Sequence, residues 1–227
     1  MLYIVGTPIG NLEDFSPRAA KILLSSDIIL AEDTRTAQNL INFCTKNFKF
    51  QISKSKLVSY YKEREMEKLG EILAYLKEDK KVSLISESGL PLISDPGYLL
   101  IKSVIREKIP FEVIPGPSAY TTAVVYSGFK ADNILFMGYF PKKSGAIVQS
   151  IKKLTEINKI IPGTIFIFYE SPIRINSTLN LFVENLPDIN VCICRELTKK
   201  FEEIIKGKPK QLVNRTYKGE ITMVFLF

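Results

Sequence analysis

The chain has 227 residues, 46% of them hydrophobic, with 31 Lys and Arg against 24 Asp and Glu for a net charge of +7, and it contains no histidine. That length buries a substantial core in one large or two small domains, and no apolar run reaches the roughly 18 residues of a membrane span. Without histidine a Ser-His-Asp triad is excluded, so any general base is a carboxylate, lysine, tyrosine or thiolate. The positive surplus attracts polyanions such as nucleic acid and weakens with salt, although a lysine-rich composition produces the same number.

In chain order, the first half alternates short β-rich runs with amphipathic helices. Leu2 to Gly6, Asp27 to Ala31, Val82 to Ile85 and Phe111 to Ile114 read as strands. Ser16 and Pro17 form an N-cap with proline at the first helical position, and Met66, Leu69, Leu73 and Leu76 recur at helical spacing. This is α/β order with a largely parallel sheet. The corner Ile114-Pro115-Gly116-Pro117-Ser118 separates two halves, giving expected domains 1–115 and 116–227. Beyond it, Ile134 to Phe140, Thr164 to Tyr169, Val191 to Cys194 and Ile221 to Phe227 are strand candidates, with helices near 145–158 and 174–186. Cys44 stands alone and Cys192 and Cys194 alternate on one strand face, a pattern of core thiols rather than of a metal site. The N-terminus has no basic region leading into a long apolar one, so the expected location is cytoplasmic and no membrane partner is expected.

Four strands run into turns of small or polar residues: Thr7 to Asn11, Ser86 to Gly97, Ile114 to Ala119, and Tyr169 to Pro172. In α/β sheets ligands gather beyond the carboxyl ends of strands, which predicts an active site in a cleft between the two domains. None of these turns carries G-x-G-x-x-G or G-x-x-x-x-G-K-[ST], so the dinucleotide and nucleoside triphosphate readings lose support.

Seven motifs occur in order from end to end: Thr7 to Leu12, Ala31-Glu32-Asp33-Thr34-Arg35, Ile93-Ser94-Asp95-Pro96-Gly97, Ile114 to Ala119, Tyr169 to Pro172 with Arg174, Arg195-Glu196-Leu197-Thr198-Lys199, and Gly219-Glu220. In these the chain resembles the 16S ribosomal RNA cytidine 2′-O-methyltransferase family of the tetrapyrrole methylase-like superfamily, the class III methyltransferases. The resemblance implies two α/β domains, S-adenosylmethionine in the interdomain cleft, a homodimer, and methylation of a cytidine ribose in 16S rRNA of the small ribosomal subunit; with no histidine and too few soft ligands, no metal is expected. The chain departs from the family pattern where it reads Ser86-Glu87-Ser88-Gly89-Leu90-Pro91 in place of Ser-Asp-Ala-Gly-Thr-Pro, and Ile173 in place of histidine. A family stretch rich in His, Glu and Asn falls where it reads Ser59-Tyr60-Tyr61-Lys62-Glu63-Arg64.

By the same resemblance Ile9, Ser86, Glu87, Leu90, Ile93, Ser118 and Ala119 line the donor site, Ser118 also fitting a plain helix cap. A ribose 2′-hydroxyl becomes a good nucleophile when its proton is drawn away, which a carboxylate within hydrogen-bond reach assists. Glu170, Glu32 and Asp33 are the catalytic candidates, with Glu196 a weaker one; Glu32 and Asp33 compete with a capping role for the following helix. Arg35, Arg174, Lys142 and Lys143 are the candidate RNA contacts, against the alternative of ordinary solvated cations, and Tyr139, Phe140 or Tyr169 could stack on a base. A related methyltransferase acting on another RNA or a small molecule, and a noncatalytic RNA-binding module, are the competing readings.

Overall fold

Four-residue apolar strands followed by amphipathic helices build the first half of the chain, in the order β1 (Leu2–Val5), α1 (Pro17–Leu24), β2 (Ile28–Ala31), α2 (Thr34–Asn47), β3 (Lys56–Ser59), α3 (Glu65–Lys77), β4 (Val82–Ile85), α4 (Tyr98–Arg106) and β5 (Phe111–Ile114). The computed structural model describes residues 1–50 and 54–227. Its Cα positions divide into two units, Met1–Ser118 and Ala119–Phe227.

In the first unit the sheet order is β3-β2-β4-β1-β5 with every neighbouring pair parallel. Alternation along each strand feeds two cores. Leu2, Ile4, Ile28, Leu30, Val82 and Leu84 pack with Ile72, Leu73 and Leu76 of α3 and Leu100 and Val104 of α4. Val5, Ile29, Ala31, Ile85 and Ile114 pack with Ala19, Ala20, Leu23 and Leu24 of α1 and Ala37, Leu40 and Cys44 of α2. Both faces are thus covered by crossover helices, as a parallel sheet requires. Helix α1 starts as its sequence predicts, with the Ser16 hydroxyl accepting the Ala19 N–H at 3.1 Å ahead of Pro17. Met66, expected on the apolar face of its helix, is instead 70% exposed, because Glu65, one position before it, is the residue that the first turn of α3 directs inward, to the Gly97 N–H.

The second unit contains α5 (Ala119–Ser127), β6 (Ile134–Tyr139), α6 (Ser144–Ile160), β7 (Ile165–Glu170), α7 (Ile175–Asn185), β8 (Asn190–Arg195), β9 (Glu203–Gly207), α8 (Pro209–Leu212) and β10 (Ile221–Leu226). Its sheet, ordered β6-β7-β10-β8-β9, is mixed: only β6 and β7 run parallel, and the other three pairs are antiparallel. One face carries a phenylalanine-rich core in which Phe140, Phe166, Phe168, Phe182 and Phe225 meet Ile147, Ile151 and Leu154 of α6 and Ile175 and Leu179 of α7. Cys192 and Cys194 lie buried with their sulfurs 3.8 Å apart, and Cys44 is buried in the first unit; all three are free thiols. No helix among the described residues is long and apolar enough to cross a membrane.

Candidate active site

Strand β1 leads to β2 on one side of itself, while β4 crosses over to β5 on the other, so the loops after these adjacent strands part company at the carboxyl edge of the first sheet. Such a switch point leaves an opening for a ligand. The loops there are stitched to one another by backbone. Gly6 N–H donates to the Ile114 carbonyl at 2.9 Å, and Thr7 and Gly89 exchange two backbone hydrogen bonds, at 2.8 and 3.2 Å. The Thr7 hydroxyl reaches the Ser86 and Gly89 carbonyls at 3.2 and 3.1 Å, and the Ser86 hydroxyl adds a further bond to the Gly89 carbonyl at 3.1 Å. Gly6 and Gly116 cross so closely that a Cβ on Gly6 would lie 2.7 Å from the Gly116 nitrogen, which only a pair of glycines tolerates.

The loop from Ser86 to Gly97 holds an unusual backbone. Leu92 and Ser94 adopt left-handed φ values of 74° and 71°, alongside Gly89 at 82° and Gly97 at 127°. Left-handed conformations cost a side-chain-bearing residue on the order of 1–2 kcal/mol, and they persist where surrounding structure imposes them. Glu65 supplies part of that structure. Only 5% exposed, it accepts the Leu99 N–H at 3.3 Å and a short hydrogen bond from the Gly97 N–H, so a buried carboxylate caps the positive end of α4 and fixes the loop's exit. A Cβ at Gly97 would collide with Leu84 and Leu92, each 2.8 Å away.

Three carboxylates surround this edge. Asp95 is pushed up to about 7, first by burial and then by the negative charges of Glu32 and Glu87. Glu32, directly after β2, is raised by burial and by Glu87 and Glu63. The arrangement concentrates negative charge around an acid that titrates near neutrality, which suits a cationic ligand and a proton acceptor alike. Among the described residues no three His, Cys, Asp or Glu side chains are arranged to hold a metal ion.

The expected donor-site residues distribute as follows. Ile9 is buried beside Gly89, with its Cγ2 3.7 Å from where a Cβ there would stand. Glu87 and Ile93 are exposed at the loop surface, and Leu90 is half-buried against the core of β1, β2 and β4. Ser86 is buried with its hydroxyl bonded to its own turn, so it offers backbone rather than side chain. Ser118 and Ala119 are half-buried at the start of α5. Asp95 and Glu65 are the carboxylates of this edge that sequence reasoning does not single out. Asp95 stands in plain view between Ser94 and Pro96, whereas Glu65 reaches Gly97 across 32 positions and carries no local signal.

Two of the catalytic candidates have other work in the structure. Asp33 is the N-cap of α2: its carboxylate accepts the Arg35 N–H at 2.7 Å and pairs with the Arg35 guanidinium at 2.8 Å. Those bonds hold it at about 2, too acidic to draw off a hydroxyl proton. Glu170 ends β7 with a side chain wholly shielded from solvent. It accepts the Ser171 N–H at 2.7 Å and the Thr178 hydroxyl at 2.7 Å, and it pairs with Arg174 at 2.5 Å. With three donors on it, this carboxylate braces the start of α7. Arg174 is correspondingly no free phosphate ligand, since it also reaches the Phe140 and Pro141 carbonyls at 3.4 and 3.5 Å. Arg35 keeps an exposed guanidinium despite its pairing, and Lys142 and Lys143 are exposed between β6 and α6.

Glu196 is likewise occupied, accepting the Glu220 N–H at 2.8 Å and the Lys199 ammonium at 3.1 Å, which lower its pKa. Lys199 bonds Glu220 as well, at 3.0 Å, and Arg195 bonds Glu203 and the Lys218 carbonyl. The two motifs near the C-terminus are therefore one polar latch joining the ends of β8 and β10. Gly219 belongs to it, since any Cβ there would overlap the Glu196 carboxyl group.

Residues 1–213 match the family model described as Tetrapyrrole (Corrin/Porphyrin) Methylases. The chain is 43% identical to the ribosomal RNA small subunit methyltransferase I of Thermotoga maritima, over 98% of this chain and 96% of that one. It is 42% identical to the protein of the same name from a Hydrogenobaculum species, over 98% and 94%, and 40% identical to that of Halalkalibacterium halodurans, over 98% and 74%. Among solved structures, the methyltransferase CobJ superposes with a TM-score of 0.72 at 13% identity, covering 99% of this chain and 93% of CobJ. The uroporphyrin-III-C-methyltransferase of Thermus thermophilus superposes with a TM-score of 0.64 at 15% identity, over 99% and 91%; at these identities the likeness is one of fold. The chain is thus a methyltransferase of the tetrapyrrole (corrin/porphyrin) methylase family, and within it belongs with the ribosomal RNA small subunit methyltransferase I proteins.

Proposed function

We propose that the chain transfers the methyl group of S-adenosylmethionine to the 2′-hydroxyl of a cytidine ribose in 16S rRNA of the small ribosomal subunit. The observation that carries this reading is the near full-length similarity to proteins named ribosomal RNA small subunit methyltransferase I. The donor is a sulfonium cation, and the carboxylates of Glu32, Glu87 and Asp95 at the carboxyl edge of the first sheet favour it electrostatically. Ile9, Leu90 and Ile93 supply apolar contacts there, and Ser86, Ser118 and Ala119 supply backbone donors. On this reading residues 1–115 and 116–227 are the two domains, and the enzyme works as a cytoplasmic homodimer.

In the transfer, a lone pair of the ribose O2′ attacks the methyl carbon in line with the departing sulfur, the C–S bond breaks with its pair going to sulfur, and S-adenosylhomocysteine leaves. The protein's largest contribution is to hold the two reactants about 3 Å apart and aligned. The hydroxyl proton goes to a carboxylate, and Glu32 is the member of the original three that remains suited to accept it, its basicity raised by burial and by Glu87 and Glu63. Arg35, Lys142 and Lys143 engage RNA phosphates.

The test is methyl transfer from labelled S-adenosylmethionine to small ribosomal subunits lacking 2′-O-methylcytidine, with the product mapped by mass spectrometry. Label on a cytidine ribose is the expected result. Donor binding without label on the subunit would overturn the substrate and point to another RNA or a small molecule.

A further inference from the structure

Four aromatic rings form a continuous row on the second unit. Tyr120, in the first turn of α5, stacks on Phe136 of β6 with ring centroids 4.7 Å apart and planes 23° from parallel. Phe136 meets Tyr169 of β7 edge-on at 5.1 Å, and Tyr169 meets Tyr139 edge-on at 5.6 Å. The first three rings are half-buried, whereas Tyr139, on the edge strand, is 65% exposed.

Regular alternation would put Phe136 and Tyr139 on opposite faces of β6. The register instead shifts between them: Phe136 pairs with Ile167 and Tyr139 with Tyr169, so β6 holds one residue more than β7 over this interval. Gly138 absorbs the extra residue with a φ of 64°. This is a β-bulge, and bulges re-aim side chains at the cost of ladder hydrogen bonds. Here the effect is to bring Tyr139 into the aromatic row, where it stays largely in solvent. Burial does not account for that sacrifice of pairing.

The segment after the bulge is pinned on all sides. Phe140 donates its N–H to the Tyr169 carbonyl at 3.1 Å and stacks its ring on Phe168 at 4.2 Å. Arg174, braced by Glu170, holds the Phe140 and Pro141 carbonyls. Lys142 and Lys143 follow at once, exposed, and neither joins an ion pair among the described residues. An exposed ring at the end of an aromatic row, beside two exposed lysines, is the combination by which proteins hold unpaired nucleotides: the base on the ring, the phosphates on the lysines.

The geometry points to Tyr139 as a stacking platform for an unpaired base of the RNA substrate, with Lys142 and Lys143 on the adjoining phosphates and the Glu170–Arg174 pair as its positioning device. The inference rests on the rRNA reading above and adds the residues that would engage the nucleotide.

The full-length protein and its Tyr139→Ala, Tyr139→Phe, Lys142→Gln/Lys143→Gln and Arg174→Gln variants are compared for binding of a fluorescent oligocytidylate RNA across a salt series, with S-adenosylmethionine binding by calorimetry as the check on folding. Tyr139→Ala is expected to weaken RNA binding by about 5- to 100-fold and Tyr139→Phe to restore it, with donor binding unchanged. The double lysine variant is expected to flatten the logarithmic salt slope by about 1.4, corresponding to two phosphates on a single strand. Arg174→Gln is expected to raise the KM for small subunits while leaving the donor KM and the salt slope at parental values, because its charge is already matched by Glu170. A slope reduced by about 0.7 in Arg174→Gln would make it a phosphate ligand instead, and overturn the positioning role. Parental RNA affinity in Tyr139→Ala overturns the platform alone. Donor binding by the parent with no RNA binding or subunit methylation overturns the rRNA reading, and the platform with it.

Discussion

The two units present chemistry by different means. In the first, an all-parallel sheet sends its loops out at one edge, and the candidate donor site is made largely of backbone: Gly6 against Gly116, Thr7 paired with Gly89, and a left-handed path through Leu92 and Ser94. In the second, a mostly antiparallel sheet presents side chains on a strand face, and the features of interest are rings and ion pairs such as Tyr139 and Glu170–Arg174. Parallel strands concentrate loop ends at one edge, whereas antiparallel neighbours divide them between two edges and leave faces and bulges as the place for specificity. Sensitivity to mutation should divide accordingly, with backbone freedom deciding the first region and side-chain volume and charge the second.

The largest effect is expected in the phenylalanine core. Phe168→Ala removes a wholly buried ring that stacks on Phe140 and meets Phe182 and Phe225, and should lower stability by about 3–5 kcal/mol in denaturant titration. Next comes Gly6→Ala, whose methyl would meet backbone rather than a yielding side chain. A stability loss of about 2–3 kcal/mol with a disproportionate loss of donor affinity is expected by calorimetry. If oligocytidylate affinity fell as steeply as donor affinity, the separation of the two regions would fail.

Asp95→Asn tests the electrostatics of the first region. With its carboxyl raised to about 7 from an ordinary value near 3.8, the folded chain keeps a proton that the unfolded chain has already released between those values. Its contribution therefore makes stability fall as pH rises through that window, and Asp95→Asn should flatten melting temperature against pH there. Because a cationic donor favours the charged carboxylate, donor binding near neutrality should release a proton, seen as a buffer-dependent heat that the variant loses. The smallest effect is a gain. Gly70 lies inside α3, where an added methyl group would meet nothing within 4 Å, so Gly70→Ala should add about 0.5–1 kcal/mol without touching donor or RNA affinity.

Strands inside the sheet leave dense apolar runs, and the sequence pattern locates β1, β2 and β4, together with the more exposed edge strand β5, to within a residue of their ends. The edge strands β3 and β9 escape such reading because each offers only two apolar residues, Leu57-Val58 and Ile204-Ile205, between charged or small neighbours such as Lys56 and Lys206. Capping is partly legible: Ser16 before Pro17 declares itself locally, and Asp33 stands where a cap ahead of α2 is expected, the role it takes in the structure. Glu170, between an apolar strand and the turn Ser171-Pro172, looks unoccupied in one dimension. Thr178 and Arg174, the partners that occupy it, belong to the next helix and its N-terminal cap.

The sequence by itself determined the α/β alternation, the carboxyl-edge loops and, through seven ordered motifs, the methyltransferase family. Those are properties of local pattern, carried by residues a few positions apart. Tertiary structure alone decided which carboxylates are bound up in caps and ion pairs, as Asp33 and Glu170 are, and which are crowded by like charge, as Glu32 and Asp95 are. It also set the antiparallel pairing of the second sheet and the bulge that turns Tyr139 outward. Protonation, pairing and side-chain direction depend on what stands within a few ångströms in space, and residues as distant in sequence as Glu65 and Gly97 become neighbours only when the chain has folded.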